Sequence, residues 1–352
     1  MRILIELIKS FLDFTKGFGF EEKPAGSLLS PLFEGEFNLS AGHQYVLPVI
    51  TSDEVYSKPE KIAIVEPCFR RIDLGKIGYS PCHLLLFEMG VFGTLGYRDS
   101  ARVSLSEMIG VFLNWFEEIG LRRNDLEFTV SKGAEILGTI FPADEETLEV
   151  LKEHGLGRAN IIQTKGRRNF IYSKGENRPA GYSIEIFYSK SKSYIEIGSV
   201  NIYTHLYKKG RLSRTKNQAL GGGVGFERVY YVVNGLDSVF EIPLYYSFIK
   251  TVKRYFAVGA EFELILPRVY LIAELIKSIC FLIAEGQRCD RTRRGRVMKS
   301  LVNKLISEVD YLGMDRVDIV QSGVESFADY YKGSYPELNW DGIILNSTIL
   351  LS

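Results

Sequence analysis

Charged side chains at the ends of apolar runs, or inside them, are the first candidates for chemistry. Arg70 and Arg71 follow the run KIAIVEPCF, Asp73 comes just after, His83 opens HLLLFEMGVF, and Glu88 closes the apolar centre of that run. Glu185 and Glu196 lie in the middle of YSIEIFYS and YIEIGSV, and Arg228 follows a cluster of glycines. Two acids on adjacent strands, with arginines at strand ends, would hold a magnesium ion and a polyphosphate, which arginine grips bidentately. Taken singly, each glutamate equally fits the solvated face of a half-buried strand, turned away from its Ile neighbours.

The glycine cluster is LGGGVGFERVYYVVNG, Leu220 to Gly235. A dinucleotide fingerprint needs G-x-G-x-x-G, but the sixth residue is Phe226 counted from Gly221 and Arg228 counted from Gly223. A Walker loop needs G-K-[ST], and Gly225 precedes Phe226 and Glu227. The glycines instead suit a close backbone approach or a bulge at the end of a strand. Phe226, Val229, Tyr230 and Val233 then fall on one helical face, with Gly235 as the stop.

The elements that must position these residues can be read in outline. MRILIELIKSFLDF reads as an amphipathic helix, since Glu6, Lys9 and Asp13 fall where a secretory signal would stay neutral. A loop-rich stretch runs from Lys23 to Glu36, followed by the extended runs QYVLPVI and KIAIVEPCF. SLSEMIGVFLNWFEEI, Ser104 to Ile119, is helical, with Ser104 as cap and Glu107 as its capping-box partner. Residues 125–165 alternate short strands with the helix DEETLEVLKEHG, and YSIEIFYS, SYIEIGSVNIY and the glycine strand follow. Beyond Pro243 the pattern is helical, over Glu261 to Glu285 and Val297 to Tyr311. The expectation is an α+β domain over residues 1–245, an antiparallel sheet flanked by helices, followed by an all-α domain over 246–352.

The 352 residues are 46% hydrophobic and 24% charged, ordinary for a soluble globular protein. Net charge is zero, but residues 1–150 carry 14 Lys/Arg against 23 Asp/Glu and residues 151–352 carry 29 against 20, so the second part suits an anionic partner. Cys68, Cys82, Cys280 and Cys289 contain no C-x-x-C, and with four histidines they make no zinc pattern. Free thiols in a reducing cytoplasm are expected. VYLIAELIKSICFLIAEG is broken by Glu274 and Lys277 and falls short of a membrane span.

Several segments together resemble class II aminoacyl-tRNA synthetases. EPCFRRID followed by HLLLFEM is similar to motif 2, and GVGFERV to motif 3. More narrowly, FLDFTKGFGF, PCFRRIDLGKIGYSPCHLLLFEMGVFG, RPAGYSIEIFY and YIEIGSV resemble successive parts of the alanyl-tRNA synthetase catalytic core. LIAELIKSICFLIAEGQRCDRTRRGRVMKSLVNKLISEVDYLG resembles that family's tRNA-recognition helices. The resemblance implies that ATP and Mg2+ are bound, with Arg70 on the α-phosphate, His83 and Arg228 on the γ-phosphate, Phe87 stacked on adenine and Glu196 on the metal. Asp73, Gly223 and Gly225 complete the expected nucleotide site. It implies activation of a carboxylate, an amino acid such as alanine, as an adenylate and its transfer to the acceptor stem of tRNA. A ligase using a non-tRNA acceptor, or a non-catalytic tRNA-binding paralog, are the alternatives.

The departures from the family fall in the amino-acid pocket. The motif 3 Asp that binds the amino group is Gly221 here, and the Thr after it is Gly222. Losing that Asp removes a buried charge-assisted bond worth ~2–3 kcal/mol. The Trp-Asn pair of the side-chain pocket is Gly198-Ser199, an aromatic is Ile171, and the motif 2 loop arginine is Cys82. Glu185 completes the expected pocket. In the helical part the Asn that reads the wobble pair is Arg291, within a cluster also containing Arg288, Arg293, Arg294 and Arg296, either tRNA-binding or a solvated loop. No resemblance to the family's editing domain or C-terminal dimerisation region follows, so a stand-alone, truncated relative is expected.

Overall fold

The computed structural model describes residues 4–33, 35–97, 101–171, 177–190, 193–256, 260–340 and 343. They gather into two compact units, one of Met1–Gly26, Ser40–Glu66 and Glu88–Asn234, the other of Ser27–Leu39, Pro67–Phe87 and Gly235–Ser352. The units are not consecutive in sequence: two short early segments belong with the helices that begin after Asn234.

The first unit is built on a nine-stranded sheet whose order is β1-β2-β3-β11-β10-β9-β4-β7, with β8 paired to β9. The strands are β1 (Glu21–Glu22), β2 (Glu60–Phe69), β3 (Leu86–Tyr97), β4 (Leu126–Ser131), β7 (Ile161–Thr164), β8 (Phe170–Ile171), β9 (Arg178–Lys190), β10 (Ser193–Lys208) and β11 (Arg211–Gly225). A small separate hairpin joins β5 (Ala134–Ile136) to β6 (Thr139–Phe141). The central strands β3, β11, β10, β9 and β4 pair antiparallel, while β1–β2 and β4–β7 are parallel. The expected antiparallel sheet flanked by helices is the observed architecture, with parallel pairs added near its edges.

Helices cover both faces of this sheet. α1 (Leu4–Gly17) buries Leu4, Leu7, Phe11 and Thr15, a spacing of three and four that makes one apolar face. Phe11 meets Phe92 of β3, Trp115 of α3 (Arg102–Glu118) and Phe226 of α5 (Phe226–Val233) in edge-to-face contacts. On the other face α2 (His43–Thr51) packs Val46, Leu47, Val49 and Ile50 against Leu95, Tyr203 and Ala219. Here the sequence reading is corrected: QYVLPVI is helix, not strand. The six residues after Gln44 form an unbroken apolar run that fits either period, and burial of positions 46, 49 and 50 on one face selects the helix, with Pro48 inside it. α3 also starts earlier than expected. Leu105 N–H donates to Ala101 O at 2.7 Å, so Ser104 lies within the first turn rather than at the cap. α4 (Glu145–Glu153) is capped as its sequence suggests, by Asp144 accepting from Thr147 N–H. Gly235, with φ 62, follows α5 in the left-handed conformation of a helix stop.

The second unit contains α6 (Pro243–Val252), α7 (Ala260–Ala284), α8 (Arg293–Tyr311) and α9 (Arg316–Ser334), of which α9 was not singled out in the sequence. Glu274 and Lys277 interrupt an apolar helix because they are needed inside it. Both are fully buried, 2.5 Å apart. Glu274 accepts from Leu85 N–H at 2.7 Å and from the Tyr245 hydroxyl at 2.5 Å, and Lys277 donates to Leu86 O and Tyr245 Oη, each at 2.7 Å. Every charge is matched by a partner, as burial demands. Among the described residues, no helix is long and apolar enough to cross a membrane.

Candidate active site

In the first unit the glycines of β11 alternate between two environments. An added Cβ on Gly222 would come within 2.5 Å of Phe112 Cε2 and 2.9 Å of Met108 Cε, so Gly222 faces α3. Gly221, Gly223 and Gly225 face the other way, and at Gly225 the nearest atom to such a Cβ is Arg228 Cδ at 4.0 Å. The register carries that open face across the sheet: Gly221 lies opposite Asn201, Gly223 opposite Ser199, and Ser199 opposite Glu185.

A bulge decides where Glu196 points. Glu196 pairs with Phe187 whereas Gly198 pairs with Ile186, so Ile197 is the extra residue. Phe187 and Glu185 share a face, and Glu196 therefore joins Glu185 and Ser199. Gly198 pairs with Val224 and falls on the helix-packed face, where an added Cβ would meet Gly223 O at 2.8 Å. The structure thus separates Gly198 from Ser199, the pair expected together in a substrate pocket. Ile171, also expected there, pairs with Gly181 and packs, partly buried, against the α2 cluster that includes Tyr203.

The Glu-Arg pair after the glycines divides its labour. Glu227 is buried and accepts from Glu88 N–H at 3.1 and 3.2 Å, fastening the start of α5 to β3. Arg228 turns to the open face, its Nη1 donating to Glu196 O at 3.1 Å and lying 3.4 Å from Glu196 Oε2. Glu185 receives Arg168 Nε at 3.5 Å, and its carboxyl is held above the usual carboxylate range first by burial and then by the charge of Glu196. Two carboxylates that repel each other on an open face fit a divalent cation completed by substrate phosphates. Among the described residues no cluster of three or more His, Cys, Asp and Glu forms a ready-made metal cage, so a cation here would depend on such outside ligands.

The motif 2 residues gather in the second unit. Arg70 follows β2, its N–H bonded to Leu85 O at 2.8 Å and its Nε to Leu39 O at 3.1 Å, with the guanidinium 5.1 Å from the centre of the Phe87 ring. Asp73 is buried in the 3₁₀ turn Arg71–Lys76 and accepts from Lys76 Nζ at 2.9 Å. His83 lies in the loop before β3; its Nε2 is 3.4 Å from Lys76 Nζ and 4.0 Å from Asp73, and its Nδ1 is 2.6 Å from Ser80 Oγ.

Sequence reading missed Lys76, although its place three residues after Asp73 was a usable signal. It also missed Asn201, which lies across from Gly221 and carries a buried Oδ1 with no hydrogen-bond partner among the described residues, and His43, whose Nε2 is 3.2 Å from the buried Tyr203 hydroxyl. Only the strand register and α2 bring these residues to the glycine face.

The arginine cluster of the second unit is not uniform. Arg294 points inward, donating to Leu29 O, Ser30 O and Glu36 O, and burial lowers its pKa. Arg293 pairs with Glu36, and Arg296 donates to Arg291 O. Arg288, Arg291, Arg293 and Arg296 are exposed.

The family profile for tRNA synthetases class II (A) matches residues 6–349, and the chain belongs to that family. Within it, curated relatives are alanine–tRNA ligases. That of Rubrobacter xylanophilus is 27% identical over 95% of this chain and 39% of its own length. That of Borrelia hermsii is 26% identical over 95% of this chain and 58% of its own. The mitochondrial enzyme of Dictyostelium discoideum is 26% identical over 88% and 34%. The chain therefore spans between about a third and three-fifths of these relatives. Solved structures similar to it include apo histidyl-tRNA synthetase of S. aureus, with TM-score 0.44, 11% identity and coverage of 65% of this chain and 66% of that one. Pyrrolysyl-tRNA synthetase of Desulfitobacterium hafniense is similar at TM-score 0.41 and 15% identity, over 68% and 72%.

Proposed function

We propose that this chain activates an amino acid or a related carboxylate with ATP and passes it to tRNA. The observation that carries the reading is Arg228, placed by the first turn of α5 beside Glu196 on the open side of a glycine strand. In adenylate formation a carboxylate oxygen attacks the α-phosphorus, a new P–O bond forms, and the bond to pyrophosphate breaks. No proton need move. What lowers the barrier is fixed positive charge on the developing pentavalent centre and on the leaving group. Arg70 would serve the α-phosphate, with Phe87 against the adenine ring, and Arg228 would serve the terminal phosphate. Mg2+, held by Glu196 with Glu185 nearby, would neutralise phosphate charge when bound. Exposed Arg288, Arg291, Arg293 and Arg296 favour a polyanionic acceptor, tRNA, over a carrier protein.

The departures at Gly221 and Ser199 favour a second reading, in which the same activation serves an amino-acid ligase with another acceptor. Both readings require amino-acid-dependent ATP–pyrophosphate exchange. With Arg228→Ala, exchange is expected to fall at least about a hundredfold, the scale of a lost electrostatic contact in the transition state. Wild-type exchange with no amino acid or analogue would overturn activation. Unchanged ATP affinity in the variant would overturn the site.

A further inference from the structure

We infer that the outer end of the β10–β11 hairpin, in the first unit, is a second contact for tRNA, gripping its phosphate backbone through Lys208, Lys209 and Arg211; this rests on the tRNA reading above. No Asp or Glu occurs between Ile197 and Phe226, and within that stretch Lys208, Lys209, Arg211, Arg214 and Lys216 crowd into nine residues. All five are exposed. Among the described strands, the ribbon that carries them runs past its neighbours: β3 pairs with β11 from Gln218 to Gly225, and β9 with β10 as far as Tyr207. Lys216 is matched by Asp53 at 3.1 Å, whereas Lys208, Lys209 and Arg211 meet no acid among the described residues.

These charges work against the hairpin that carries them. Lys208 lies directly opposite Arg211, and like charges in that position disfavour the strand pair. Lys209 and Gly210 close the turn with φ 47 and 78, and a two-residue turn with both φ positive prefers Asn or Asp ahead of Gly, not lysine. Three cations are therefore held side by side at a local cost, which an external anion offsets by neutralising them. Residues 208–211 include no apolar side chain. Of the flanking leucines, Leu206 packs against the α2 cluster and Leu212 against Ile136, Phe141 and Phe170, so both are turned to the core. A membrane-surface contact needs an apolar face beside its cations. Unmatched cations without one fit a polyphosphate chain such as RNA. Contacts of this kind hold the partner and carry no base information.

The test measures binding of unfractionated tRNA to the full chain over about 50 to 200 mM salt, for wild type and two triple variants. Lys208→Gln, Lys209→Asn and Arg211→Gln together remove the charges and put a favoured residue in the turn; Lys208→Arg, Lys209→Arg and Arg211→Lys together keep the charges. The neutral variant should lose about tenfold or more in affinity at the low-salt end and flatten the slope of log K against log salt by about 2–3, near one per lost phosphate contact. Its melting temperature should stay level or rise, a combination that a purely structural role would not give. The charge-keeping variant should bind as wild type does. Unchanged affinity or slope in the neutral variant, or equal loss in the charge-keeping variant, would overturn the hairpin contact and leave the tRNA reading in place. A melting temperature that falls together with affinity would make the charges structural and overturn it as well. A neutral variant that keeps its tRNA affinity but loses binding to phosphatidylserine vesicles would assign the hairpin to a membrane surface instead. Wild-type protein that binds no tRNA would overturn the tRNA reading, and this inference with it.

Discussion

Gly222 and Gly225 lie three residues apart on one strand and answer to different demands. At Gly222 a methyl group would press into the buried Phe112 ring, so Gly222→Ala should cost ~1–3 kcal/mol of stability, measured by denaturant unfolding. At Gly225 a methyl group has room, and φ −90 is open to any residue. Gly225→Ala should change stability by less than about 1 kcal/mol yet weaken ATP binding, because the methyl group occupies the face assigned to the nucleotide. Equal destabilisation by both would contradict the alternation of faces. Glu185 makes a separate prediction through its titration. Its folded-state pKa is raised, so above pH 4.5 the native state holds a proton that the unfolded chain has released. Stability therefore falls as pH rises through that window, to the folded-state value. Glu185→Gln cannot ionise, and its melting temperature should decline less over the same range; parallel curves for the two proteins would remove the role given to burial and Glu196.

At the scale of elements, two devices position the residues of the proposed site. The bulge in β10 brings Glu196 onto the face of Ser199 and Glu185, which strict alternation would have denied. The buried Glu274–Lys277 pair of α7 grips the backbone of residues 85 and 86, immediately before Phe87. Removing one partner strands the other charge in an apolar helix. Glu274→Ala should therefore cost about 3–5 kcal/mol, with an earlier denaturant midpoint. A loss under about 1 kcal/mol would show that water reaches Lys277 and that the pair is not the anchor described here.

For the whole molecule, zero net charge conceals an acidic first part and a basic second part. If the exposed arginines meet tRNA phosphates, binding should weaken steeply with salt. Replacing Arg288, Arg291 and Arg296 together by Ala should flatten the slope of log K against log salt by about 2–3, near one per lost contact. An unchanged slope would place the acceptor elsewhere or return the arginines to solvent. Arg294 is left out because its guanidinium is already committed to carbonyl oxygens.

The sequence by itself determined the family, the α+β class and the identity of the charged residues, because motifs with fixed spacing encode local units: a strand and its turn, a glycine strand and its helix. The same locality explains what could not be read. Whether QYVLPVI is helix depends on which sheet residues its apolar face meets, and the face of Glu196 depends on one extra residue, Ile197, in its own strand's pairing with β9. The pairing of Lys76 with His83 depends on a loop folding back on its own turn. The opposition of Asn201 and Gly221 and the inward turn of Arg294 likewise join positions far apart in the chain. Tertiary structure decided these because side-chain direction and partnership are set by packing and register, which no short run of residues contains.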